Sequence, residues 1–375
     1  MSIHNAALYA FRVTVCAHAL THPPFSVLIL PLVCDVQNKD PTKAPTLRAT
    51  WTQFFPEGLL SCALSPDSKT AACSLRDGRV VTLNSDKGQI LKMFDLPRND
   101  DVGKAAVEYP ACTCIRFRPE NENTPSKNVM ALGRGDQLIY LHGTTGKLLS
   151  TLDEPGNSIL GLDFSSCGSR VATVGEDRVV RLYDDKSRRL ITSYADSQSA
   201  GQGRGHNNTV FSTAFMPGNE NILVSAGWDN MMFVWDARQA EPAAVISGVY
   251  ACGPDAIDVD EGGTIVSGSW RRDHTLQLWD LRKGQLSTNL IMSGVKEGPV
   301  KCYVARVGRK PGKLAGIVGA GGSGEEPKAR FFNKDGSAMG TLSTNSAVLS
   351  ISMCANTTKA IVCQEEALSM TIVEV

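Results

Sequence analysis

Gly205-His206, then Val224-Ser225-Ala226-Gly227-Trp228-Asp229, then Phe233-Val234-Trp235-Asp236, form a unit whose second half returns as Val266-Ser267-Gly268-Ser269-Trp270 and Leu276-Gln277-Leu278-Trp279-Asp280. A unit that recurs marks a chain built from stacked copies, each leaving an apolar face that only a neighbour can bury. Weaker copies align when the tryptophan place is taken as Leu83, His142, Tyr183, Trp235, Trp279, Phe332 and Ile372. The apolar runs inside a copy are short, as in Ile159 to Phe164, Arg170 to Val174, Val179 to Tyr183 and Leu190 to Tyr194. They are too short for helices, and their connections are too brief for parallel crossovers, so each copy is expected to be a four-stranded antiparallel meander.

Composition agrees with a turn-rich, all-β chain. Of 375 residues, 34 are glycine and 18 proline, and 38 basic residues balance 38 acidic ones. A net charge of zero argues against a basic nucleic-acid coat, and no apolar run reaches the roughly 18 residues of a membrane span. Eleven cysteines are scattered without the dense even framework of a small secreted domain, which suggests core packing in a reducing, cytoplasmic setting. Cys112 and Cys114, two apart, are expected to share one strand face, but no second pair completes a zinc site. Residues 1 to 45, with a proline-rich stretch from Asn38 to Pro45, read as a flexible extension and linker. Residues 46 to 375 read as the folded array.

These motifs resemble WD40 repeats, each of which is one four-stranded blade of a β-propeller. Copies at about 59 to 96, 111 to 152, 158 to 195, 206 to 247, 252 to 292 and 299 to 342 leave 347 to 375 one strand short. The resemblance implies a seven-bladed propeller closed by an N-terminal strand at Thr46 to Thr52, which completes the last blade and leaves no open seam. It also implies a buried hydrogen-bonded network of His206, Ser225, Asp229 and Trp235, structural rather than catalytic. In the fifth copy the loop histidine is missing and Arg271-Arg272 lengthens the turn before Asp273, so that network is expected to be incomplete.

Gly319-Ala320-Gly321-Gly322-Ser323-Gly324 matches a dinucleotide fingerprint in letters, but Glu325-Glu326-Pro327 follows where a helix N-terminus should receive the pyrophosphate. The stretch is expected to be a turn, and Ala200 to Gly205 a loop. Asp184-Asp185 and Glu365-Glu366 are expected to be solvated turns. With no hydrolase, metalloprotease or phosphate-loop signature, no catalytic residue, metal, cofactor or small-molecule substrate is assigned.

Binding is expected on the loops of a rigid ring. In the family, the residue before the turn aspartate commonly faces partners, which implies Arg76, Glu176 and Trp228, with Trp270, Arg271 and Arg272 around the longer turn. Tryptophans beside arginines have the composition of an interaction hot spot. Trp235-Asp236-Ala237-Arg238 and Trp279-Asp280-Leu281-Arg282 both match W-D-x-R, a box that in some WD40 proteins contacts the adaptor of cullin-RING ubiquitin ligases. The expected function is a non-catalytic scaffold for protein partners, without specific nucleic-acid binding, with a ubiquitin-ligase substrate receptor as the alternative.

Overall fold

The computed structural model describes residues 45–96, 111–120, 126–195, 205–271, 273–290, 292, 300–309, 312–325, 327–354 and 356–373. Two of the readings above, the extension before residue 45 and the loop at 200–204, lie outside the described residues.

Seven four-stranded antiparallel sheets surround one axis, and each sheet is a blade. Blade one runs outward through β2 (Leu59–Leu64), β3 (Thr70–Leu75), β4 (Val80–Asn84) and β5 (Ile90–Phe94). Blade two has β6 (Cys112–Phe117), β7 (Val129–Arg134), β8 (Gln137–His142) and β9 (Leu148–Asp153), and blade three β10 (Ile159–Phe164), β11 (Arg170–Gly175), β12 (Val180–Asp184) and β13 (Arg189–Tyr194). Blade four has β14 (Val210–Phe215), β15 (Ile222–Gly227), β16 (Met231–Asp236) and β17 (Pro242–Ser247), and blade five β18 (Ile257–Val259), β19 (Thr264–Gly268), β20 (Leu276–Asp280) and β21 (Gln285–Leu290). Blade six has β22 (Lys301–Val307), β23 (Val318–Ser323), β24 (Lys328–Phe332) and β25 (Ala338–Ser343). Blade seven joins β26 (Val348–Met353), β27 (Lys359–Gln364) and β28 (Ala367–Ile372) to β1 (Ala49–Phe54), which pairs antiparallel with β28. The N-terminal strand therefore closes the ring, a few residues later than the expected Thr46 to Thr52. Thr46 itself forms a parallel bridge to Thr341 of β25, with the Thr341 N–H donating to Pro45 O at 2.9 Å, so the end of the supposed linker is pinned to blade six.

The core is a ring of seven layers, one between each pair of neighbouring blades. At the closing seam, Trp51, Phe55, Ile361, Cys363 and Leu368 of blade seven pack with Leu59, Cys62, Cys73 and Leu83 of blade one. Burying this apolar surface at about 25 cal/mol per Å² is what holds blades side by side, since hydrogen bonds run mainly within blades.

The turn between second and third strands recurs in detail. Asp77, Asp177 and Asp229 each accept, through Oδ1, the backbone N–H two residues on, at 3.0, 3.1 and 3.2 Å. The intervening residue is left-handed, with φ of 86° at Gly78, 70° at Arg178 and 62° at Asn230. The short aspartate side chain supplies the acceptor that fixes the turn. We call the ring face carrying these turns the upper face.

Three sequence readings are corrected. Register puts Leu141, not His142, opposite Met130, and Thr371, not Ile372, opposite Ala360, in the place that Trp235 takes opposite Leu223. A one-residue slip turns a side chain to the other sheet face: Leu141 and Thr371 are buried whereas Ile372 is exposed. Cys112 and Cys114 do not share a face, because a bulge lies between them; Cys112 packs toward blade one and Cys114 toward blade three. Gly319 to Gly322 is no turn but the middle of strand β23. A Cβ at Gly321 would meet Val348 of blade seven at 2.6 Å, and one at Gly322 would strike the Lys301 carbonyl, so glycine there lets strands approach closely.

Candidate functional site

In blade four the sequence brings four polar residues into one buried chain. Trp235 Nε1 donates to Ser225 Oγ at 2.8 Å, Ser225 Oγ lies 2.7 Å from His206 Nε2, and His206 Nδ1 lies 2.7 Å from Asp229 Oδ2. With Trp235 as donor to Ser225, the consistent assignment has Ser225 donating to Nε2 and Nδ1–H donating to the carboxylate. The serine, histidine and aspartate have the connectivity of a hydrolase triad. Yet His206, Ser225 and Trp235 are each 1% exposed or less, so no substrate can reach Oγ. The chain ties the loop entering the blade to its second and third strands.

Blade five keeps half of this: Trp279 Nε1 donates to Ser267 Oγ at 2.9 Å, while Asp273 is held by the guanidinium of Arg271 at 3.0 and 2.8 Å. Blade three carries a version that sequence reasoning missed. Glu154, 2% exposed, accepts from Thr173 Oγ1 at 2.5 Å, Tyr183 OH at 2.9 Å and Asn157 Nδ2 at 2.7 Å, and Arg181 bridges it to Asp177. Its signal in sequence is spacing: Glu154 precedes Thr173 by 19 residues, as His206 precedes Ser225. The matching places in blade one are Cys73 and Leu83, and apolar packing replaces the network there.

The upper-face residues are dispersed among different environments. Trp228 is half-buried against Phe211, ring centroids 4.8 Å apart. Trp270 is 44% exposed and stands edge-on to Tyr250 at 5.8 Å, and the Arg271 guanidinium lies 4.8 Å from the Tyr250 ring centroid. Arg272 lies outside the described residues. Arg76 pairs with Glu365 at 3.4 Å beside the closing seam, and Glu176 is exposed on blade three.

The W-D-x-R boxes end the third strands of blades four and five, so they lie on the lower face, about 20 Å from the upper turns given six residues at roughly 3.3 Å each. Arg238 folds back on Asp236, Nε to Oδ1 2.8 Å and Nη2 to Oδ2 2.6 Å, and holds that carboxyl down to about 2. Arg282 is exposed, and only its backbone N–H caps Asp280, at 2.9 Å.

The fold also assembles an axial cluster that no motif announced. Arg116 of β6, Asp163 of β10, Asp258 of β18 and Arg306 of β22 stand on the innermost strands of four blades, joined by Asp255 and by Arg309. Arg309 Nη2 donates to Asp258 at 3.0 Å and Asp163 at 3.2 Å, Arg306 approaches Asp258 at 3.4 Å, and Arg116 pairs with Asp255, which Ser350 also caps. Burial alone would push the Asp258 carboxyl up, but Arg306 and Arg309 outweigh it and hold it below its usual range. Asp185, expected to be solvated, is likewise buried between Arg118 and Arg188. Among the described residues no three His, Cys, Asp or Glu side chains are grouped to hold a metal ion, and no helix is long and apolar enough to cross a membrane.

Comparison with known proteins finds similarity over parts of the chain. The family model described as WD domain, G-beta repeat matches residues 146–184, from the outer strand of blade two through the third strand of blade three, and residues 198–236, which hold the first three strands of blade four. Protein tipD of Dictyostelium discoideum is 24% identical over 177 residues, 46% of this chain and 26% of its own length. The Denticleless protein homolog of Gallus gallus is 28% identical over 112 residues, 30% of this chain and 15% of its own. A guanine nucleotide-binding protein subunit beta of Nicotiana tabacum is 26% identical over 166 residues, 42% of this chain and 43% of its own. The chain thus spans less than half the length of each of these three relatives.

Proposed function

As this chain is a WD40-repeat β-propeller, we propose that it works as a non-catalytic scaffold that holds protein partners together through its loop faces. The observation that carries this reading is the cluster of Trp270, Tyr250 and Arg271: an exposed indole and a guanidinium, fixed on a closed ring, are the side chains that dominate protein interfaces. A ring already rigid loses little ordering entropy when a partner docks, and this is its mechanism. The free thiols of Cys62, Cys73, Cys112, Cys114, Cys252, Cys302, Cys354 and Cys363 support a reducing, cytoplasmic setting.

The test is isolation of the native complex by affinity and size exclusion, with wild type compared to Trp270→Ala and Trp228→Ala. Trp270→Ala should keep its melting temperature and lose partners. A chain that elutes alone as wild type would end the scaffold reading.

A second reading, a cullin-RING substrate receptor, is favoured by Arg238 and Arg282 standing exposed on the same face of adjacent blades. The Arg282 guanidinium, with the Nη1 edge that Arg238 keeps outside its pair with Asp236, suits an acidic or carbonyl-rich surface. Adaptor peptides that vanish only in Arg238→Ala/Arg282→Ala would support it, and a complex without adaptor that survives this change would sink it.

A further inference from the structure

The large apolar side chains left in solvent are unevenly shared among the blades. Leu91, Leu148, Leu149, Leu190 and Ile191 are 40 to 57% exposed, and all stand at the lower ends of outer strands β5, β9 and β13 in three successive blades. The matching pairs in blades four to six are Pro242-Ala243, Leu286-Ser287 and Ala338-Met339, so two large apolar residues recur only in blades one to three.

These three edges form one wall. Lys92 Nζ of blade one donates to Thr145 O of blade two at 2.6 Å, and a Cβ at Gly146 would strike the Phe94 ring, so the lower turn of blade two sits on β5. The Arg188 guanidinium of blade three lies over the Tyr140 ring of blade two, 3.4 Å from its centroid.

Cations accompany the leucines. Lys87, Lys92, Lys147, Lys186 and Arg189 are exposed, and no salt bridge joins Lys87, Lys147, Lys186 or Arg189 to a carboxylate among the described residues. The nearby acids are already used or lie elsewhere. Asp86 pairs with Lys359, Asp184 beside Lys186 and Arg189 accepts from the Ser187 N–H and hydroxyl, Asp185 is buried between two arginines, and Asp95 and Asp153 stand at the upper ends of their strands, so that among the described residues five cations meet only Asp86 and Asp184 at the lower ends of these edges. The lower half of the wall is therefore apolar and positive.

Each edge also carries a bulge next to these residues, at Leu91, Leu149 and Ile191, which interrupts the row of backbone groups that an added strand would need. A helix laid across three edges needs no such row. We propose that this lower wall of blades one to three docks an acidic amphipathic helix of a protein partner, with leucines meeting its apolar stripe and lysines meeting its glutamates. The proposal rests on the scaffold reading and gives it a second face.

The test uses the full chain and a labelled synthetic peptide of about 20 residues, leucines at i, i+3, i+4 and i+7 and glutamates elsewhere, read by fluorescence anisotropy. The acidic peptide should bind, more weakly as salt rises, and Leu149→Ser/Ile191→Ser and Lys147→Glu/Arg189→Glu should each weaken it about tenfold or more at unchanged melting temperature. Equal binding of the same peptide with lysines for glutamates, or unaltered binding by both variants, overturns the proposal. So does sedimentation with phosphatidylserine vesicles in the absence of peptide binding, which would assign the wall to a membrane surface. Trp270→Ala serves as the separating control: native partners lost in it, with no peptide bound by wild type, would end the wall proposal and leave the scaffold standing.

Discussion

Glu154 and His206 hold the same place in successive blades: each reaches, 19 residues on, the hydroxyl of the second strand, Thr173 or Ser225. One unit accepts a carboxylate or an imidazole there because the buried position demands hydrogen-bond partners rather than a particular chemistry. The carboxylate accepts from three donors, and Arg181 balances its charge; the imidazole relays between a serine and an aspartate. These networks are scaffolding, and their predicted effects fall on stability.

His206→Ala should destabilise the chain by about 1 to 3 kcal/mol, because Ser225 and the Asp229 carboxylate lose their partner in a buried setting. Chemical denaturation would show it as a lower midpoint. An unchanged midpoint would mean that the network carries no net stability.

Glu154→Gln keeps the shape but turns an amide toward the donors of Asn157 and Arg181. A loss of about 1 to 3 kcal/mol is expected. Adding Arg181→Ala should cost less than the sum of the two single changes, since the arginine then has no buried charge to balance. Strict additivity in this double-mutant cycle would contradict the ion pair.

Asp258 sets a pH dependence of definite sign. Its carboxyl, buried but held down by Arg306 and Arg309, binds its proton less readily folded than unfolded, so its stabilisation is present above the ordinary carboxylate value and disappears as pH falls through the folded one. Asp258→Asn leaves the half-buried Arg306 and Arg309 short of a partner and should lose about 2 to 4 kcal/mol at pH 7. Between pH 5 and pH 3 the gap between wild type and variant should narrow. A gap that widens on acidification would refute the assignment.

Thiol mapping probes the inter-blade layers. Burial raises Cys112 and Cys302 to about 12 and Cys114 to about 11, which leaves almost no thiolate near neutrality. Native protein treated with a maleimide should spare all three, and mild denaturant should expose them together. Rapid labelling of Cys114 in the native state would show that blades two and three part locally.

Gly322→Ala tests the glycine run. The added methyl meets the Lys301 carbonyl, and a loss of about 1 to 3 kcal/mol from overpacking is expected. Because the run lies in strand β23 and strand β24 begins at Lys328, leaving no room for a helix N-terminus to receive a pyrophosphate, NAD should not shift the melting temperature of wild type. A saturable NAD-dependent rise would reopen the nucleotide reading.

The amino-acid sequence by itself determined the blades. Strand alternation, turn aspartates and the Trp-Asp endings act over neighbouring residues, and the count that left the last copy a strand short required closure by the N-terminal segment, which β1 supplies. The tryptophan place was misread by one residue in two weak blades, where no tryptophan marks it and a register slip is invisible in the letters. Burial of Cys112 and Cys114 on opposite faces followed from a bulge, which alternation cannot foretell. Only tertiary structure decided what lies on the axis and the outer wall. Arg116 and Asp255 are 139 residues apart, and nothing local in either strand signals the other. Their contact, and the joining of three blade edges into one apolar and positive surface, exist because closing seven sheets into a ring brings the inner segments of repeats distant in sequence onto one axis and sets the outer edges of neighbouring blades side by side.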